Sequence, residues 1–191
     1  MLQATAIRQH PRDYTWPVLL DERDSLGWVM KALREAGNSV MSELAGLEEA
    51  VLRERPNEDE MSLKEIACHL RDAEELAVLQ ITSLIEEPDR PLPTWDIDVF
   101  VLERDYRSAN VARTLGEYRG LRRETTHLLF SLRRSEWERS ARHPYRGEVS
   151  LETIARELAQ HDLEHLWKAR QIKFDLGAKT QVSDEWDTDD W

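Results

Sequence analysis

Apolar residues recur at three- and four-residue steps along most of this 191-residue chain, and the prolines fall between the resulting stripes rather than within them. A helix with one apolar face must bury that face against another element, so the pattern constrains the fold more than any single residue does. Leu26, Val29, Met30, Leu33, Gly37, Val40, Leu44 and Leu47 form the first stripe. Leu63, Ile66, Leu70, Ala73, Ala77, Ile81 and Leu84 form the second, and Leu115, Tyr118, Leu121, Thr125, Leu128 and Leu132 the third. The fourth runs Leu151, Ile154, Leu158, His161, His165, Ile172. No alternation of apolar and polar residues is long enough to build a sheet. Four such stripes on short-to-medium connections predict an all-α four-helix bundle.

Local signals set the boundaries. Ser62 followed by Glu65 is a capping box, in which each side chain bonds the other's backbone N–H. Pro88, Pro91 and Pro93 end that helix, since proline lacks the donor a continuing helix needs. Trp95 to Tyr106 is amphipathic and reads as a short helix or the start of the third; Arg53 to Glu60 reads as a polar connection. Ser140 to Gly147 is expected to be a loop or short hairpin. Ser150 caps the last helix, which Gly177 ends in a left-handed cap. The chain then divides into an irregular arm over 1–20, a bundle over 21–177 and an acidic tail over 178–191 that carries Trp186 and Trp191.

Charge excludes one class of partner. With 38 Asp and Glu against 26 Lys and Arg, the chain carries a net −12 and lacks the clustered cations that a phosphate backbone requires, so no nucleic-acid partner is expected. Nor does any stretch approach the roughly 18 uninterrupted apolar residues of a membrane span. A single cysteine, Cys68, rules out an internal disulfide framework and a cysteine-rich zinc site, and fits a cytoplasmic setting.

The chemistry is carried by histidine. His161 and His165 stand where an apolar stripe would otherwise continue. At i and i+4 their Cβ atoms lie roughly 6 Å apart, close enough for two imidazoles to converge on one ion. The pair alone also admits a plainer reading, two core histidines bonded to neighbours. His69, at the edge of the second stripe beside Ile66 and Ala73, supplies a third inward imidazole from another helix. Three neutral nitrogens suit a divalent cation and leave positions open for water or substrate. Asp162, beside His161, and Asp72, one turn from His69, are candidates to orient a ligand through its second ring nitrogen, although either also reads as an ordinary helix charge. His10, His127 and His143 read as surface residues, with His143 able to border the site.

These residues together resemble the DinB/YfiT-like superfamily. The resemblance covers Asp21 to Leu176 and rests on LKEIACHLRDAEE, which contains His69, on TWDIDVF, and on the closing HDxxH of His161, Asp162 and His165. It implies a four-helix bundle with a long crossover between the second and third helices. It also implies a metal site, most often zinc or nickel, held by the three histidines, and frequent homodimers. Its branches include thiol-dependent S-transferases, which take a low-molecular-weight thiol as co-substrate, and metal-dependent hydrolases. A metal-dependent transferase or hydrolase acting on a small molecule is therefore the leading expectation. The rival is a non-catalytic binding or stress-response module that keeps the same pocket.

Overall fold

The computed structural model describes residues 25–177, so the expected arm over 1–20 and tail over 178–191 lie outside the described residues. Four long helices form the body: α1 (Ser25–Leu44), α3 (Leu63–Glu86), α5 (Val111–Phe130) and α6 (Leu151–Asp175). Between them lie two short helices, α2 (Glu49–Arg53) and α4 (Ile97–Glu103), and a hairpin of β1 (Ser140–His143) and β2 (Gly147–Ser150). No helix among the described residues is long and apolar enough to cross a membrane.

The expected boundaries agree closely with the observed caps. Ser62 Oγ accepts from Glu65 N, and the Glu65 carboxylate accepts from Ser62 N at 2.8 Å, which completes the box. Ser150 accepts from Thr153 N to start α6, and Gly177 at φ +61° lies just beyond its end. Two boundaries differ: the third stripe extends to Leu132, but α5 stops at Phe130. The first stripe extends to Leu47, but α1 stops at Leu44, where Gly46 at φ +72° takes the chain into a left-handed turn that favours glycine. Leu47 therefore packs from the connection, and α2 follows where no separate helical stripe is expected.

Side-chain pairings establish the order of the bundle. Arg71 of α3 reaches Glu117 of α5, and Glu74 reaches Arg122, so positions advance together and the two helices run parallel. The His69–His161 contact, together with the shared core of Leu84 with Leu151 and Leu63 with Ile172, makes α3 and α6 antiparallel. Leu33 packs in the cluster of Ile154, while Glu43 binds Arg170 and Lys173, so α1 runs parallel to α6. Parallel α3 and α5 require the chain to return the length of the bundle between them. Residues 87–110, which hold α4, are that long crossover. Helices α1 and α6 pack closely, as do α3 and α5, and each pair also meets the other.

The core has two apolar lobes. One gathers Leu33, Ile81, Leu129, Trp137 and Leu158; the other gathers Leu44, Ile66, Leu115, Tyr118 and Leu166. Between them sits a buried polar knot. Arg122 donates to Glu74 Oε1 at 3.0 Å and to the Leu33 carbonyl, and pairs with Asp162 at 2.6 Å. All three charged side chains are nearly inaccessible. Thr125 donates a further bond to Glu74, so one guanidinium joins α1, α3, α5 and α6. Gly37 leaves the room: a methyl group there would stand 3.2 Å from Arg122 Nη1.

Candidate metal centre

The histidines that interrupt the apolar stripes meet beside this knot. Helix α3 contributes His69 from its second turn; α6, running the opposite way, contributes His161 and His165 from successive turns. Each ring centroid lies 4.5–4.9 Å from the other two. His69 Nε2 and His161 Nε2 are 2.9 Å apart, and one ring nitrogen from each residue falls within 4.8 Å of the others. In a tetrahedral site with bonds of 2.0–2.1 Å, two ligand atoms stand about 3.3 Å apart. The three imidazoles thus already occupy the span of a coordination sphere.

Their electrostatics favour the ligating form. Burial pushes the His161 pKa down to about 3, reinforced by the neighbouring His69 and then by Arg122. Burial likewise drives His165 well below its ordinary value, with His161, His69 and Lys168 adding to it. Imidazoles held neutral offer lone pairs to a cation. The donor set fits a divalent ion, and His161 Nδ1 and His165 Nδ1 are buried with no hydrogen-bond partner among the described residues.

That last observation redirects the two carboxylates. Asp162 does not reach its neighbour's ring; it turns to Arg122 and takes a bond from the Tyr118 hydroxyl at 3.4 Å. Burial raises its carboxyl to about 7 against the opposing pull of Arg122. Asp72 serves the crossover instead, pairing with Arg104 at 2.9 Å and accepting from the Tyr106 hydroxyl. Both are therefore struts of the bundle. For Asp162 the physical reason lies in helical phase: a carboxylate one residue from His161 points about 100° away from it around the helix axis. Cys68 also faces elsewhere, buried and bonded to Thr114 of α5.

A cleft of about 590 Å³ opens on the histidines. Its base includes His69 and His161; Trp95 and Asp96, just before α4, form one side, and His143 and Tyr145 of the hairpin another. Larger clefts, about 770 and 690 Å³, lie toward the start of α3 and are lined by neither the histidines nor the hairpin. His143 reads from the sequence as surface, yet it is half-buried at the cleft. Its signal was weak, because a histidine before proline in a turn carries no periodicity. The crossover and hairpin thus complete a pocket whose floor the long helices provide.

Comparisons place this arrangement among known proteins. No curated protein matches the sequence. Among solved structures, the chain is similar to YfiT from Bacillus subtilis, described as a probable metal-dependent hydrolase with an unusual four-helix bundle topology. The two share 15% identity at a TM-score of 0.75, over 90% of this chain and 95% of that one. At that identity the likeness speaks for the fold, and it accords with the parallel pairing of α3 and α5. A family profile matches residues 32–169, which include α3, α5, most of α1 and α6, and the three histidines. The chain belongs to the DinB superfamily.

Proposed function

We propose that this protein is a metal-dependent enzyme in which His69, His161 and His165 hold one divalent ion, zinc or nickel, at the base of the cleft. The observation that carries the reading is the convergence of one ring nitrogen from each of three histidines, on two helices, within 4.8 Å. A cation bound by three neutral ligands keeps positive charge and open positions, and would act as a Lewis acid that makes water or a thiol a better nucleophile near neutral pH. Burial holds the His161 and His165 nitrogens unprotonated, and the Arg122 knot fixes the spacing of α3 and α6. Trp95 and Tyr145 offer flat apolar surface to a small-molecule substrate.

Hydrolysis of an acyl bond and transfer to a low-molecular-weight thiol both use this arrangement. A cytoplasmic setting fits the single buried thiol, and a homodimer would cover the exposed Trp167 and Phe174 on α6. The non-catalytic module remains the second reading, favoured if the loaded protein turns over neither esters nor thiol-plus-electrophile pairs. The test is elemental analysis of protein purified without a polyhistidine tag. About one ion per chain is expected, falling to background when His161 and His165 are both replaced by Ala. Unchanged metal content in that variant would refute the assignment.

A further inference from the structure

Resting on that reading of the metal centre, we propose that His143 is the cleft's fixed hydrogen-bond donor. It presents Nε2–H to the oxygen of an uncharged acyl substrate that gains negative charge during reaction.

The ring's own turn decides which nitrogen is available. The backbone N–H of Tyr145 donates to His143 Nδ1 at 3.2 Å, so Nδ1 must carry the lone pair. In a neutral imidazole the proton then resides on Nε2. Burial, with Arg146 close by and Glu157 opposing, lowers the His143 pKa and favours that neutral form. Nδ1 is engaged within the turn, which leaves the donor nitrogen for whatever occupies the cleft that His143 lines with His69 and His161.

The hairpin holds the ring in place from several directions. Ala141 and Val149 are buried in the core, and Leu92 N donates to the Arg142 carbonyl at 2.9 Å, tying the strand to the crossover. Arg146 binds Glu157, one helical turn before His161, so the turn is referenced to a ligand-bearing helix. Gly147 at φ +81° closes the turn. A donor fixed in this way needs no reorganisation when charge develops, which is the condition for oxyanion stabilisation.

Two competing donors in the cleft are weaker candidates. Gln80 Nε2 already donates to the Pro93 carbonyl at 2.9 Å, and Tyr145 is 86% exposed. Among the described residues no lysine or arginine lines the cleft, and Asp96 does, so a polyanionic substrate finds no counter-charge there. An uncharged carbonyl compound with a flat apolar group against Trp95 fits the lining.

Two measurements decide the proposal. In the metal-free protein, long-range nitrogen–proton correlation should find His143 as the Nε2–H tautomer; an Nδ1–H tautomer overturns it. In the zinc-loaded protein, calorimetry with acetohydroxamate, a small acyl probe that binds metal as its monoanion and so carries negative charge on its acyl oxygen, should give tight binding that H143A weakens about ten-fold or more. H143Q, which retains an N–H of similar reach, should keep most of the affinity, and zinc should stay at one per chain in both variants. Failure of the wild type to bind acetohydroxamate, or equal binding by H143A, overturns the proposal. A chain that takes up no zinc refutes the metal centre instead, and the tautomer measurement, made without metal, still decides the geometry at His143.

Discussion

Arg122→Met removes the cation that joins all four long helices while keeping a side chain of similar length. Arg122, Glu74 and Asp162 have side chains 6%, 0% and 1% exposed, so the two carboxylates left behind have almost no access to water. Taking one partner from a buried ion pair costs about 3–5 kcal/mol, because the remaining charge is neither solvated nor paired. Glu74 and Asp162 both lose their cation, which places this variant at the upper end of that range. Against a total stability of about 5–15 kcal/mol, the loss is a large fraction. For a chain of this size each kcal/mol lowers Tm by about 2–4 °C, so a fall of roughly 6–20 °C is expected. Urea denaturation of the metal-free protein, followed by far-ultraviolet circular dichroism, measures the free-energy loss, and a thermal melt with the same signal measures the fall in Tm. The companion variant Arg122→Met/Glu74→Leu/Asp162→Leu removes the stranded charges too and should recover much of the loss, since apolar replacement of a whole buried cluster is often neutral. A loss below about 1 kcal/mol for Arg122→Met alone would show that the knot does not hold the bundle.

Three further outcomes follow from the same geometry. His161 and His165 have folded pKa values below that of a free imidazole, so below about pH 6.5 the unfolded chain binds more protons than the native one. Stability of the metal-free protein should therefore be full above that pH and decline as pH falls toward 4, by up to about 1.4 kcal/mol per unit for each histidine; a His161→Leu/His165→Leu variant with the same slope would refute this. Ser62→Ala should cost about 0.5–2 kcal/mol in the same denaturation assay, because the box at the start of α3 is fully formed; a neutral result would mean water replaces the hydroxyl. Gly116→Ala and Gly120→Ala, where an added methyl meets nothing within 4 Å, should each stabilise α5 by up to about 1 kcal/mol, whereas Gly37→Ala should lose that gain against Arg122. Equal stabilisation at all three positions would show that the knot yields readily.

The fold was legible where the signal is local. Stripes, the Ser62 box, the proline cluster after α3 and the Ser150 cap all act within a few residues, and each appears at its expected place. His69 stood out for the same reason, as a polar interruption of an apolar stripe. Arg122 did not. It sits four residues after Tyr118 and three before Thr125, on the inward face, but an arginine on a helix rich in charge reads as solvated surface until the partners from α3 and α6 are known. Asp162 was noticed for its neighbour rather than its direction, and only the reach of Arg122 from α5 across the core to α6 shows that it serves the guanidinium. His143 depends on the crossover and the hairpin meeting, a contact between segments that no periodicity encodes. The pattern of the miss is consistent: polar residues whose burial is bought by distant partners look like surface in one dimension.

The parallel course of α3 and α5 also sets an order of events in time. His69 and His161 are separated by 92 positions, with the entire crossover, α5 and the hairpin between them. A chain emerging from the ribosome therefore carries its first imidazole long before the other two exist, and the last helix must insert between α1 and α3 before any ion has three ligands. An ion held there adds nothing to the early helices and stabilises only the closed bundle, in proportion to its concentration over its dissociation constant. Metal capture becomes the final latch of assembly, and a half-made chain has nothing to close it on.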